Sequence, residues 1–396
     1  MKQTIGQQSV RVHRKVGGKL GTYSKVPVLT SHDLSIAYTP GVAQVSLDVH
    51  KNPAEAFELT LKKNSLAVIS DGSKVLGLGN LGALGAIPVM EGKCVLFKEL
   101  GGIDAFPICL DTQDEKEIIQ TIRNIAPVFG AINLEDFTAP KCFHIEAALQ
   151  DLGIPVFHDD QHGTAIVVYA GLLNAAKVVK KPFSQLRVCI NGAGAAGNAI
   201  AKMLLGKNVP KGFLRVKEVI LCDTKGAIYS GRNDLDAEKA HLASYTNPRH
   251  VKGTLHDAIR DMDVFIGVSV AGALPPQYIS SMSQKPIIFA MANPTPEIMP
   301  DAAKKAGAAV IATGRSDFPN QANNALAFPG IFRGAMDARA TRITEGMKMA
   351  AAQALASMVK KPSRDKILPP LSDRRIAKVI ASAVKKQALR ENISRR

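Results

Sequence analysis

The sequence predicts an α/β protein: a doubly wound, Rossmann-type parallel-sheet domain joined to an N-terminal α/β substrate domain and a C-terminal helical tail. Three observations carry that expectation. Apolar strand-like runs at 186–190, 218–222, 263–269, 286–291 and 308–313 each precede a loop and a helix-like segment, the alternation that builds parallel strands covered by helices. A glycine-rich turn, Gly192-Ala-Gly194-Ala195-Ala196-Gly197, lies between the first of these strands and a helical run from Asn198. The chain has 396 residues, 46% of them hydrophobic, enough for roughly two to three domains with real cores.

The elements follow in order. The N-terminal third is interrupted by Gly and Pro around short apolar runs such as 66–69 and 95–97, and is expected to form a substrate and metal domain over residues 1–160. From Gly163 the texture changes: residues 164–177 are a long small-residue helical run, and the strand–helix alternation then begins. That shift sets a boundary near 157–163 and a dinucleotide-binding domain over 161–361. Beyond it, residues 362–396 hold Pro369-Pro370 and an amphipathic helix expected from Asp373 to about Leu389.

The formal charge is +16, which by itself raises a polyanionic partner. Its distribution lowers that expectation. Residues 1–30 carry +6 and residues 360–396 carry +9, so the 329 residues between them carry only +1. Five widely spaced cysteines with no C-x-x-C pair argue against a disulfide framework or a thiolate zinc site and suit a reducing, cytoplasmic setting. No uninterrupted apolar run approaches the roughly 18 residues that suggest a membrane span.

Two G-x-G-x-x-G patterns occur, at Gly77–Gly82 and Gly192–Gly197. Dinucleotide binding requires a strand before the glycines and, directly after them, a helix whose N-terminal amides receive the pyrophosphate. The second copy meets both conditions. The first is followed by Ala-Leu-Gly-Ala-Ile-Pro88, which reads as non-helical, so it is expected to be a tight backbone crossing. Asp223 closes the strand after the second copy, 31 residues from Gly192, where an acid binds the adenosine ribose. Such an acid favours NAD over NADP, and Lys225 offsets it, so the cofactor is read as NAD(P).

Glu135-Asp136-Phe and Asp159-Asp160-Gln-His-Gly-Thr flank the boundary. Adjacent carboxylates in apolar surroundings are costly unless a cation neutralises them, which points to a hard divalent ion. A zinc alternative at His158 and His162 lacks the H-E-x-x-H pattern. Taken together the motifs resemble the malic enzyme family in its short bacterial-type form, without a phosphotransacetylase-like domain. Ser35-Ile-Ala-Tyr38-Thr-Pro-Gly41 resembles its tyrosine motif and Pro88-Val-Met-Glu-Gly-Lys93 its lysine motif. The acidic pairs, the second glycine turn, Ala292-Asn293-Pro-Thr-Pro-Glu297 and Phe318-Pro-Asn-Gln-Ala-Asn323-Asn324 follow in the family's order.

The resemblance implies oxidative decarboxylation of (S)-malate to pyruvate and CO2 with reduction of NAD(P), by a homodimer that binds neither membrane nor nucleic acid. Lys93 matches the general base, with a pKa lowered for that task. Tyr38 matches the acid that protonates enolpyruvate, and Asp159 a carboxylate that orients Lys93. Glu135, Asp136 and Asp160 match the ligands of Mg2+ or Mn2+, and Asn293 and Asn324 match contacts to the substrate carboxylate. One departure is Lys74, where longer eukaryotic-type members carry an arginine; lysine keeps the charge and loses the bidentate fork. The competing readings are an oxaloacetate decarboxylase, another 2-hydroxy acid dehydrogenase, or a basic-tailed nucleic-acid-binding protein.

Overall fold

The computed structural model describes residues 4–76 and 78–395, so Gly77 of the first glycine pattern lies outside the described residues. Strands β1 (Ser65–Ser70), β2 (Asp104–Cys109), β3 (Ala131–Leu134) and β4 (Val156–His158) form one parallel sheet in the order β2-β1-β3-β4. Every residue of β1 is buried, as expected where helices cover both faces of a parallel sheet.

A second sheet contains β5 (Arg187–Asn191), β6 (Glu218–Asp223), β7 (Gly226–Ala227), β8 (Val264–Gly267), β9 (Ile287–Ala290) and β10 (Val310–Thr313), in the order β10-β9-β8-β5-β6-β7. All its neighbours are parallel except the short β6–β7 pair. The five strand runs read from the sequence therefore all form, each within three residues of its expected bounds. The chain leaves β5 for β6 on one side and returns to β8 on the other, so the switch point where such folds bind ligands lies between β5 and β8.

Two expectations need correction. The helical run after Gly163 begins earlier, at Asp159, and continues to Val179 directly from β4. This helix is also apolar and long enough to cross a membrane by composition, but most of it is buried in the core. More consequentially, the first glycine pattern does lead into a helix, Gly82–Gly101, with Pro88 inside it. A proline costs a helix one amide donor. Here the lost bond would end on Leu84, in the exposed first turn (83% exposed), while Ala86, Met90, Cys94 and Phe97 are fully buried on the opposite face. The tight crossing expected there also exists: Gly72 has φ of 65°, and a Cβ on it would lie 2.2 Å from the Gly82 carbonyl oxygen.

The C-terminal helix, Ile376–Arg390, packs on the Phe328–Asp337 and Glu345–Ser357 helices. Gly334 permits the approach, since a Cβ there would meet the Ala381 carbonyl oxygen at 2.5 Å. The N-terminal segment is built differently. It contains the helices Ile5–Val16, Ser31–Ala37 and Gly41–Lys51, yet no residue from 4 to 61 is buried.

Candidate active site

The carboxyl ends of β3 and β4 carry the acidic pairs. Glu135 and Asp136 follow β3, and Asp159 and Asp160 open the helix after β4, where the helix dipole favours negative charge. One carboxylate oxygen each from Glu135, Asp136 and Asp160 lie within 4.8 Å of one another, the only such group of potential metal ligands among the described residues. Asn133 Nδ2 donates to Glu135 Oε2 at 2.9 Å, and the Asp136 amide donates to Asp160 Oδ2 at 2.9 Å. Asp136 is held at φ of 58°, an uncommon conformation for a non-glycine residue, and its buried Oδ2 has no partner.

Electrostatics favours a cation here. Burial and the neighbouring Asp160 charge push the Asp136 carboxyl up to about 7, and burial likewise raises Glu135. Asp160 is lowered despite its burial, by His158, Lys74, Lys93 and the Asp136 amide. Three hard oxygen donors, one of them orphaned, fit Mg2+ or Mn2+ and not a thiolate- or imidazole-seeking ion. His158 and His162 do not form a zinc pair: His158 Nε2 lies 3.8 Å from Asp160 Oδ2, while His162 Nε2 lies 2.9 Å from Glu146.

Lys93 projects from the Gly82–Gly101 helix between two carboxylates, its Nζ 2.6 Å from Asp159 Oδ2 and 2.7 Å from Glu135 Oε1. Burial disfavours its charge, but Asp159, Glu135 and Asp160 outweigh burial and push its pKa up. The sequence-based expectation of a lowered value is thus reversed in the unliganded site, because two anions stand within contact distance. Gly163 is required beside this pair, since a Cβ would fall 1.9 Å from Asp159 Oδ1; the next neighbour of that position is Asn324 Cβ. The turn there is capped by the Asn323 side chain, on the Ala325 amide, which leaves Asn324 free for other work.

Two sets of supporting residues have no role assigned to them from the sequence. Glu146 accepts from the His158 amide at 3.0 Å and from Gln161 Nε2 at 3.1 Å, and pairs with His162. Lys348 Nζ lies 3.1 Å from His162 Nδ1, while His162 Nε2 faces Glu146. This network fixes the Asp159–His162 turn. Glu297, fully buried, accepts from the amides of Ser269 (2.9 Å) and Ala292 (3.0 Å), linking the ends of β8 and β9 beside Asn293. Gly267 makes room for it, and that glycine at a strand end was the readable clue.

At the dinucleotide turn, Gly192 has φ of 121°, and a Cβ would meet the Val268 carbonyl oxygen at 2.6 Å across the β5–β8 switch point. A Cβ on Gly197 would lie 1.8 Å from the Gly192 carbonyl oxygen. Gly194 faces open space and caps the Ala195–Leu204 helix, leaving the amides of Ala195, Ala196 and Gly197 free in its first turn. Asp223 ends β6 but is already engaged: Arg232 Nη2 lies 2.6 Å and Lys239 Nζ 3.4 Å from its Oδ2. Lys225 gives Asp223 only its amide, its Nζ turning to Asp234 at 2.8 Å.

Tyr38 stands apart from all of this. It is 67% exposed, forms no side-chain hydrogen bond among the described residues and does not touch Lys93. Lys74 lies in the loop after β1, where its amide donates to the Asp136 carbonyl at 3.1 Å.

Comparison with known proteins bears on both halves of the chain. Residues 18–118 match the family profile described as "Malic enzyme, N-terminal domain", and residues 161–389 match "Malic enzyme, NAD binding domain". The chain is 51% identical to the bifunctional malic/malolactic enzyme of Bacillus subtilis, over 99% of this chain and 95% of that protein. It is 44% identical to the NADP-dependent malic enzyme of Halomonas elongata, over 98% and 95%. The crystal structure of the NAD-dependent malic enzyme of Thermotoga maritima superposes with a TM-score of 0.90 at 46% identity, covering 95% of this chain and 98% of that one.

Proposed function

The chain belongs to the malic enzyme family, and from that membership we propose that it converts (S)-malate to pyruvate and CO2 with reduction of NAD(P), assisted by Mg2+ or Mn2+. The observation that carries the reading is the double role of Glu135. One of its oxygens contacts the Lys93 amine, while the same side chain belongs to the three-carboxylate group with Asp136 and Asp160. An amine and a cation cradle that share a carboxylate suit a substrate whose C2 hydroxyl must lose a proton beside a Lewis acid.

Glu135, Asp136 and Asp160 would hold the cation, which would supply Lewis acidity to the C2 oxygen, while NAD(P)+ would supply the hydride acceptor. The Lys93 ammonium first gives a proton to Asp159, whose Oδ2 lies 2.6 Å from Nζ, and the neutral amine then takes the C2 hydroxyl proton. Asp159 keeps the amine aimed, and Phe328, whose ring centroid lies 4.4 Å from Nζ, shields it from water. Asn293 and Asn324 hold the substrate carboxylates, and Tyr38 delivers a proton to C3 of enolpyruvate. The Gly192–Gly197 turn holds the pyrophosphate.

In this assignment residues 1–160 handle malate and the cation, residues 161–361 the dinucleotide, and 362–396 form a structural tail. Because Arg232 and Lys239 neutralise Asp223, the ribose site does not present a bare anion, and both NAD and NADP are admissible. Initial rates of NAD(P)H formation from (S)-malate, with Mn2+ and with a chelator, test the reaction. Lys93→Ala tests the base: a fall of less than ~100-fold in turnover contradicts its role.

A further inference from the structure

We propose that a cavity behind the Asp159–His162 turn binds a phosphomonoester through Lys202, Lys207, Tyr245 and Lys348, and that its occupant slows turnover by way of that turn. The cavity shares no residue with the Lys93 cluster or with the Gly192–Gly197 turn.

It opens where several helices converge: Lys141–Ala148, the first turn of Asp159–Val179, the end of Ala195–Leu204, the end of Ala237–Ala243 and the start of Glu345–Ser357. Its volume is about 760 Å³, within the roughly 300–1,000 Å³ of small-molecule sites.

The donors in its wall lack acceptors. The side chains of Lys202 and Lys207 form no hydrogen bond or ion pair among the described residues. Lys207 Nζ rests instead over the Tyr245 ring, 4.6 Å from its centroid. The Tyr245 hydroxyl oxygen is buried and has no partner, a rare and unfavourable state for a polar atom in a folded protein. Burial, and after it the Glu238 charge, push that hydroxyl up to about 12, so it stays protonated and able to donate. The acids among the lining residues are already engaged. Glu146 accepts from the His158 amide and Gln161 and pairs with His162, and Glu345 Oε1 lies 2.7 Å from Lys348 Nζ. Two ammonium groups and a hydroxyl therefore face one space with no free carboxylate among its described lining residues.

The kind of donor selects the kind of anion. No arginine is among the described residues that line the cavity. A carboxylate is best held by arginine's planar fork, whereas point donors arriving from separate elements suit the tetrahedral oxygens of a phosphate. The volume leaves room for an organic body beside the phosphate, and the rings of His241 and Tyr245, edge to face at 5.3 Å between centroids, offer it a surface.

Lys348 links the cavity to the reaction. Its Nζ touches Glu345 and also lies 3.1 Å from His162 Nδ1. His162 meets Glu146, which holds the His158 amide one residue before Asp159, the partner of Lys93. A phosphate dianion competes with Glu345 and His162 for the Lys348 ammonium. Drawing it away loosens the turn that aims Asp159, so turnover falls while the contacts to malate are untouched.

Calorimetric titration with phenyl phosphate tests the site, on the enzyme carrying Mg2+ with NAD+ and NADP+ both in excess so that the dinucleotide turn is filled. We expect saturable binding that weakens about 10-fold or more in the double variant Lys202→Ala, Lys207→Ala. Benzoate, the same ring on a carboxylate, should bind at least about 10-fold more weakly than phenyl phosphate. Without phosphate the double variant should turn over malate at the wild-type rate. At saturating phenyl phosphate the wild type should slow by about 5-fold or more, and the double variant should not. No saturable binding, or equal binding by the double variant, would overturn the site. Benzoate binding as tightly would overturn the phosphate assignment, and turnover unmoved or raised at saturation would overturn the link to Asp159. Calorimetry reads the site whatever the substrate; the turnover arm alone rests on the malate reading above.

Discussion

The carboxyl edge of the first sheet and the N-terminal segment are opposites within one chain. At the edge, Lys93, Glu135, Asp136 and Asp159 are all buried and in mutual contact or nearly so. Along residues 4–61 nothing is buried, although helices and caps are in place. Where charges are taken out of water, every neighbour must be specified, because an unpaired buried charge costs several kcal/mol. Where side chains stay in water, as along residues 4–61, local capping alone specifies the helices. The contrast separates a region whose neighbours are all specified from one whose helices are specified without being packed.

The largest expected break is Lys93→Ala, which removes the amine from both carboxylates. We expect turnover to fall at least ~100-fold, read as the rate of NAD(P)H formation at saturating malate. Next is Glu146→Gln. Burial opposes the Glu146 charge, but His162 and Lys348 outweigh it and hold the carboxyl down at about 2. With the folded value below the ordinary 4.5, its stabilisation is fully present above pH 4.5 and is lost as pH falls toward about 2. The shift is worth up to about 3 kcal/mol. Denaturant unfolding at pH 7 should show that loss in Glu146→Gln, and the gap to wild type should close on acidification.

Asn133→Ala removes the donor that orients Glu135 and should weaken Mn2+ binding about 10-fold or more, measured by titration of the metal-free protein. Smallest is Arg232→Ala, which frees the Asp223 carboxylate. A carboxylate at the ribose left with Lys239 as its ion-pair partner repels a 2′-phosphate more than one also paired with Arg232, so the preference for NADP over NAD, as a ratio of kcat/KM values, should fall by roughly 10-fold.

Much of the second sheet was legible because its strands are short apolar runs, each ending at a turn. The glycine turn was legible because Gly192 and Gly197 are demanded by backbone approach alone. The acidic pairs were legible as residues too expensive to bury without a cation. The Gly82–Gly101 helix was missed on the strength of Pro88, although Ala86, Met90, Cys94 and Phe97 recur at helical spacing and pack on β1; that periodicity deserved more weight than one proline. Lys348 was invisible because its contact with His162 spans 186 residues, and Glu146 because its partners His158, Gln161 and His162 come to it only through the packing of its helix on β4 and the turn after it. The raised pKa of Lys93 depends on distances to Asp159 and Glu135 that no spacing in the sequence contains. Tyr38 was recognisable by its motif, yet its isolation within the protomer is a property of the fold.

The most direct test of the site is the rate of NAD(P) reduction by (S)-malate, measured with Mn2+ and again after chelation. Turnover that yields pyruvate and CO2 and that chelation abolishes is the predicted result. Dinucleotide reduction unaffected by the chelator, or none with malate at any Mn2+ concentration, would contradict a reaction built on Lys93 and the three carboxylates.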